Sequence, residues 1–469
     1  MIMNESYLKN IKQIFKDSYD VKYKEIQCKN GVITIVFIDN MCDSEYISHY
    51  MIKPITEKRN EISDIEYLKN EVIEADSIGD VKGMDDALLH ILNGDAVIIS
   101  NFFSEIMFCE AKGYVRRSVS IPTTEDVVKG PREGFTEAFV DNVSLIRRKI
   151  KNPDLKFEAI FYGDKSNTII VIAYIKGIAP KGLVEYVKKK IKEKKEEFIL
   201  DTNYIEEKLK NNNTVFDTVG YSEKPDIVSS KLLEGRVGVI VDGTPFVVTV
   251  PYFFIENFNM PDDYYLNKIV TNITRVLRWI SFFIAVFLPG FYLALISYHY
   301  AMIPYSFVFR IAISRSGVPF PTVIELLLMM FFFQILREAG VRLPKVVGAA
   351  VSIVGALILG DSAIKAGLAS EATLIVVALS SIATFVTPKL YGAEEVWSII
   401  LVLFASVLGL FGFYIGVMIF VIQICRVESC GYPYTFPLGT GGLFKYKDII
   451  FRSNLNSISD NILKKDEKK

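Results

Sequence analysis

The feature that most constrains this chain is a break in charge density at Trp279. Between Trp279 and Cys425 only thirteen of 147 residues are charged, and Trp279–Tyr298 and Val396–Cys425 carry no charge at all. A helix rises about 1.5 Å per residue, so about 20 apolar residues cross the ~30 Å hydrocarbon core of a bilayer. The first 278 residues hold most of the remaining charge and read as a soluble half. A length of 469 residues suits two or three domains, and a net charge of −1 supplies no overall field to draw nucleic acid. The expected architecture is an α/β cytoplasmic N-terminal region of two small subdomains, followed by an α-helical polytopic membrane domain. The boundaries are 1–125, 126–265, a basic linker 266–278, the membrane domain 279–425 and a basic tail 426–469.

The soluble half alternates helix and strand patterns. Residues 4–17 place Leu8, Ile11, Ile14 and Phe15 at helical spacing. Val32–Ile38 reads as a strand, Asp85–Leu92 as a helix closed by Asn93-Gly94, and Ala96–Ile99 as a buried strand. Phe135, Phe139, Val143 and Ile146 recur at helical steps, in a helix ending on Arg147-Arg148-Lys149, where cations complement the macrodipole. Phe157–Tyr162 and Thr168–Ile175 read as strands, and Gly182–Glu197 as a basic surface helix. Val237–Val241 and Phe246–Val250 flank Asp242-Gly243-Thr244-Pro245, a hairpin apolar on both faces, which needs cover from a core or a neighbouring subunit. No repeat at a fixed period is visible. The N-terminus has no continuous apolar run to serve as a secretory signal, so the first domain is expected in the cytoplasm.

In the second half, Phe258–Tyr265 reads as a linker, and Lys268, Arg275 and Arg278 precede the first span, which favours entry from the cytoplasm. Residues 300–321, with Arg310, Arg315 and three prolines, are too polar to cross and read as interfacial or re-entrant. Val323–Leu336 is apolar but short and holds Glu325 and Gln334. Val346–Gly360, Ala372–Val386 and Val396–Cys425 follow. Arg426, Lys445, Lys447 and Arg452 make the far flank basic too, which asks for an even number of crossings. Five apolar segments conflict with that, so four or five crossings are expected.

Gly348, Ser352, Ala356 and Gly360 recur at steps of four, with Gly355 beside them, and this small-residue face is assigned to helix packing. Thr373, Ser380, Thr384 and Thr387 share a face of the next segment. Such hydroxyls either bond back to a carbonyl one turn away or line a permeation path. Asp361 and Lys365 stand one turn apart beside a span, and Glu371 closes the same charged turn. They form an interfacial salt bridge or a charged vestibule. Asp262-Asp263 and Glu394-Glu395 read as solvated loop carboxylates. GxxxxGK[ST], GxSxG and HExxH are absent, and Gly439-Thr440-Gly441-Gly442 follows no strand. Cys28, Cys42, Cys109, Cys425 and Cys430 form no CxxC pair, and His49, His90 and His299 are scattered. No catalytic, cofactor or metal site is expected, and no enzyme.

Long strings do stand out: GPREGFTEAFVDNVSLIRRKI (Gly130–Ile150), YSEKPDIVSSKLLEGRVGVIVDGTPFVVTVP (Tyr221–Pro251) and LPGFYLAL (Leu288–Leu295). SRSGVPFP (Ser314–Pro321), ILREAGVRLP (Ile335–Pro344) and SIVGALILG (Ser352–Gly360) complete the set. In these the chain resembles the A subunits of spore germinant receptors, the GerA family, with its SpoVAF branch. The match spans most of residues 125 to 425, while residues 1–120 agree only in general character. Met330 and Gln334 stand where the family usually carries glutamates, and residues 389–395 are also atypical. The resemblance implies a place in the inner membrane of endospores beside B and C subunits. It further implies a homo-oligomer, a pentamer, that forms a nutrient-gated cation channel. Two other functions fit the residues: a secondary transporter, against which no inverted repeat is seen, and a non-conducting scaffold.

Overall fold

β-branched runs set between Gly-containing turns build two antiparallel sheets in a computed structural model that describes residues 2–113, 122, 125, 127–193, 196–210, 214–438 and 448–454. The chain divides into two compact units. One comprises the chain up to Lys210 together with Val219–Tyr252. The other comprises a short stretch ending at Thr218 and the chain from Phe253 onward.

The first unit repeats one topology. Helix α1 (Ile2–Ile14) precedes β1 (Val21–Cys28) and β2 (Gly31–Ile38). Short helical turns, β3 (Ile78–Asp80), α2 (Met84–Asn93), β4 (Asp95–Ser100) and β5 (Met107–Glu110) follow, and the strand order is β1-β2-β4-β5-β3. Then α3 (Phe139–Lys149) precedes β6 (Leu155–Tyr162) and β7 (Thr168–Ile175). Helices α4 (Lys181–Glu193) and α5 (Asn203–Leu209), β8 (Gly220–Ser222), α6 (Pro225–Leu233), β9 (Val237–Val241) and β10 (Val247–Val250) give the order β6-β7-β9-β10-β8. The second order is the first advanced by five strands. No period in the sequence announced this, because each half buries its own residues in its own register.

The central strands are covered on both faces. Val239, Ile240, Val247 and Val248 are fully buried, so the hairpin belongs to the core of this unit. Its turn also feeds a helix. Gly243, at φ +92°, donates its N–H to Glu137 O at 2.8 Å, and Asp242 Oδ1 accepts from Phe139 N at 3.3 Å. Phe135 lies outside α3, contrary to the helical spacing. There Asn142 folds back, its Oδ1 accepting from Thr136 N at 2.8 Å, and Phe135 enters the core from an extended segment. Arg147 is no surface partner of the helix dipole either. It is fully buried and forks onto Asp20, with Nη2 at 2.7 Å from Oδ2 and Nε at 3.1 Å. Its Nη1 donates to Leu155 O at 3.1 Å, and Tyr19 N donates to Phe157 O at 3.1 Å beside it, which ties the two sheets of the unit together.

The second unit is helical: α7 (Lys268–Tyr298), α8 (Tyr305–Arg315), α9 (Thr322–Arg342), α10 (Lys345–Lys365), α11 (Glu371–Thr384) and α12 (Tyr391–Arg426). Lys268–Tyr298 and Pro388–Arg426 are long and apolar enough to cross a membrane. Residues 268–278 are the first turns of α7 and not a linker; Asn267 caps that helix through Ile269 N at 2.9 Å. Segment 300–321 contains α8, which buries none of its residues. Val323–Leu336 extends into a 21-residue helix, which at 1.5 Å per residue measures about 31 Å.

Val396–Cys425 is not one straight run. Gly409 has φ +61° and ψ −135°, a conformation open to glycine alone, and the chain folds back there. Trp397 and Phe420 would stand about 34 Å apart in a straight helix, yet their rings lie 5.0 Å apart. Three glycines make the return possible. A Cβ on Gly409 would lie 2.8 Å from Tyr298 Cβ, one on Gly412 would lie 2.0 Å from Phe404 O, and one on Gly416 would lie 2.7 Å from a Leu401 methyl. α12 is therefore a helical hairpin with arms 391–408 and 410–426, and α7 packs against it through Gly290 on the Leu401 backbone.

Candidate functional site

The helical unit encloses polar side chains that an apolar bundle does not need. At one end, Glu325 in the first turn of α9 is fully buried. Its Oε1 accepts from Ser370 N at 2.6 Å, so the carboxylate sits on the N-cap of α11, where unpaired N–H groups favour negative charge. Ser370 Oγ reaches Thr373 Oγ1 at 3.0 Å, and Thr373 Oγ1 meets Tyr292 OH of α7 at 3.0 Å. Arg315, at the end of α8, brings Nε to 3.7 Å from Glu325 Oε2.

Twelve residues along α9, about 18 Å, stands a second cluster. Arg337 Nη1 donates to Thr384 Oγ1 at 2.6 Å, and its guanidinium lies over the Tyr391 ring at 3.3 Å from the centroid. Gln334 Nε2 donates to Tyr391 OH. Thr387 Oγ1 donates to Glu394 Oε1 at 2.6 Å, and Glu394 is 1% exposed. The pair Glu394-Glu395 is thus no solvated loop: Glu394 faces inward from the first turn of α12. Asp263 departs from expectation in the same way. It is 2% exposed and takes Arg275 Nε at 2.9 Å and Arg278 Nη1 at 2.7 Å, while Arg275 Nη1 also reaches Asp448 at 2.5 Å. Arg452, read as part of a basic tail, is buried and donates to Asp263 O at 2.5 Å.

The hydroxyl stripe faces its own bundle. Thr373, Ser380, Thr384 and Thr387 are all buried, while Ile375, Ile382 and Phe385 on the other side are exposed. Ser380 and Thr384 donate back to Val377 O and Ser381 O at 3.0 and 2.8 Å. Thr387 lies beyond the helix, which ends at Thr384, and reaches the row through Glu394 instead. Asp361 and Lys365 pair at 2.6 Å with side chains 59% and 74% exposed, apart from the row. Glu371 and Arg310 line a cavity of about 540 Å³ beside Ile313, Ser314 and Gly367. On α10, Gly348 and Gly355 face α9: a Cβ on them would lie 2.4 Å from Gly340 O and 2.7 Å from a Leu336 methyl. A Cβ on Gly360 would lie 3.4 Å from a Leu374 methyl of α11, an ordinary contact. The side chains of Ser352 and Ala356, and all of Gly439–Gly442, Lys445 and Lys447, lie outside the described residues.

Sequence reasoning passed over Ser370, Tyr292 and Arg337, and misread Glu394 as a solvated loop carboxylate. The signal for two of them was present, since an ionisable residue inside an apolar segment is a functional candidate by default.

A two-sheet α/β unit joined to a helical unit with a buried polar row and two long apolar helical segments defines the class. The chain belongs to the Bacillus/Clostridium GerA spore germination protein family, which it matches over residues 9–461. Spore germination protein KA of Bacillus subtilis (strain 168) is 36% identical over 463 residues, covering 96% of this chain and 85% of that one. The uncharacterized membrane protein YfkQ of the same organism is 35% identical, covering 95% and 88%. Spore germination protein GerLA of Bacillus cereus is 30% identical, covering 97% and 94%. The crystal structure of the N-terminal domain of the A subunit of the Bacillus megaterium spore germinant receptor GerK3 aligns with 53% of this chain and 94% of that one. The identity is 25% and the TM-score 0.38. The family is one of germination proteins and not of enzymes.

Proposed function

We propose that this chain is the A subunit of a spore germinant receptor in the inner membrane of the endospore. It works with B and C subunits, its α/β unit lies in the cytoplasm, and it assembles as a ring, a pentamer, into a nutrient-gated cation channel. The observation that carries conduction is the buried row from Glu325 through Thr373 and Thr384 to Glu394, because ionisable groups inside a membrane bundle persist where they serve transport. Membrane crossing is supported by the apolar length of α7 and by the uncharged run Val396–Cys425, whose two arms fold back at Gly409. In this reading Asp361, Lys365 and Glu371 form the mouth, and the hydroxyls of α11 lie along the path inside each subunit.

The test is reconstitution in liposomes, alone and with the B and C subunits, with potassium and sodium efflux read as a nutrient mixture is added. Gated efflux supports the channel. Saturable uptake of one nutrient makes the chain a transporter, and an assembled complex without either flux makes it a scaffold.

A further inference from the structure

The first arm of α12 carries an observation that the row above does not absorb. Glu394, Trp397 and Ser398 recur at i, i+3 and i+4 and so share one helix face, and they are 1%, 2% and 2% exposed. Each keeps a polar atom without a hydrogen-bond partner among the described residues: Glu394 Oε2, Trp397 Nε1 and Ser398 Oγ. A buried polar atom left unpaired costs about 1–3 kcal/mol, and a carboxylate costs more. All three lie within about one turn of the same helix, on one face.

The donors and acceptors define the occupant. An indole N–H only donates, a carboxylate only accepts, and a hydroxyl does both. A bare cation is repelled by the indole hydrogen and an anion by the carboxylate. Water satisfies all three, accepting from Trp397 and donating to Glu394 and Ser398, within the two to four bonds a buried water makes. We propose that Glu394, Trp397 and Ser398 form a buried water site at which Glu394 binds and releases a proton. A hydronium at the site hands its proton to Oε2, leaving a neutral water and a neutral carboxyl, and the proton returns by the same path. The other Glu394 oxygen stays fixed by Thr387, so the exchange concerns one atom.

Among the described residues, these charged groups stand nearest the site. Arg337 of α9 acts on Glu394 and Glu395 through its charge, beside the Tyr391 hydroxyl. Arg275 and Arg278 of α7 are engaged by Asp263, and the second arm of α12 is uncharged until Arg426. The site stands whether or not the chain conducts ions.

The chain has two tryptophans, so in the full-length protein held in nanodiscs Trp279→Phe leaves Trp397 as the sole tryptophan, read by excitation beyond the tyrosine absorption band. The expected result is a longer emission lifetime in heavy water than in light water, together with a single pH step in emission. Glu394→Gln should lose the pH step and keep the heavy-water response, while Ser398→Ala should shrink that response. Where Trp279→Phe fails to fold, the difference between the unaltered protein and Trp397→Phe gives the same reading. Equal lifetimes in the two solvents, or a pH step that survives Glu394→Gln, overturns the proposal. So does an emission change on exchanging potassium for N-methylglucamine at constant pH, which would make the occupant a cation.

Discussion

Two buried carboxylates, Asp20 in the α/β unit and Glu394 in the helical unit, show how differently one chain treats the same chemistry. Asp20 is closed. Both oxygens meet Arg147, and its Nη1 donates to Leu155 O, with the Phe157 ring 4.8 Å away. Glu394 is open. One oxygen holds Thr387 and the other has no partner among the described residues. A closed buried pair fixes geometry, because neither group can change charge or partner without loss. An open one is held in place with an atom to spare. Asp20 therefore reads as architecture and Glu394 as function.

The sharpest way to break this contrast is to open the closed pair. Asp20→Ala strands a guanidinium in the core, and we expect a loss of about 3–5 kcal/mol, as for other buried pairs deprived of one partner. Thermal unfolding of the full chain measures it. The double variant Asp20→Leu with Arg147→Met should recover most of the loss, since apolar groups of similar volume often replace such pairs at little cost. Equal instability in the single and double variants would mean that the pair specifies the junction of the two sheets and does not merely neutralise charge.

The second expectation concerns what holds the open site in place. Gly409→Ala meets a backbone conformation that side chains resist, at about 1–3 kcal/mol, and also meets Tyr298 at 2.8 Å. The two arms of α12 should separate. A disulfide between cysteines placed at 401 and 416 reports this: quick closure in the parent background, slow closure in Gly409→Ala. Unchanged closure would show that packing alone folds the arms together.

Much of the α/β unit was legible, because alternation and Gly-centred turns act locally. Thr168–Ile175 is a strand with those bounds, and Asn93-Gly94 closes α2 with Gly94 at φ +88°. The repeated topology was not legible, since equal strand order requires no equal residues. In the helical unit, hydropathy found the apolar runs but could not see Gly409 as a fold-back. A glycine in an apolar run looks like any other small packing residue until Tyr298 is placed beside it. Glu394 was misjudged for a related reason. Its neighbours in sequence, Lys389 and Glu395, suggest a wet loop, whereas its neighbours in space are Thr387 and the hairpin arm.

A smaller effect sharpens the comparison within the α/β unit. Lys156 is buried, its Nζ donating to Pro153 O at 3.0 Å and to Ile14 O, and burial together with the Arg147 charge pushes its pKa down to about 8. In the unfolded chain it titrates near 10.4, so the folded state prefers the neutral amine. Stability from this group is therefore absent at pH 7 and rises as pH climbs above about 8, by about 1 kcal/mol by pH 9. Burial pushes the Cys42 and Cys109 thiols up to about 12, which takes stability away from about pH 8 upward, equally in the parent and in a Lys156 variant. The reading is the difference between the two chains: the urea midpoint of the parent should gain on that of Lys156→Met between pH 7 and pH 9. A parallel rise in both would assign the effect elsewhere.

The smallest effect belongs to a pair that is neither closed nor open but wet. Asp361 and Lys365 touch at 2.6 Å on the last turn of α10, yet water reaches both side chains. Exposed i, i+4 pairs contribute about 0.3–0.5 kcal/mol, and salt screens even that. Lys365→Glu, which sets two carboxylates one turn apart, should lower stability by less than about 1 kcal/mol. Its effect on permeation follows a different rule. A charge at the mouth of a conducting path changes the local concentration of cations without any change in folding, so the variant should favour cations over anions more strongly. Reversal potentials in asymmetric potassium chloride measure this, with thermal unfolding as the control. A large drop in unfolding temperature would show that the pair is buried in the assembled ring. An unchanged reversal potential at normal protein level would remove Asp361 and Lys365 from the mouth and leave the buried row as the whole of the path.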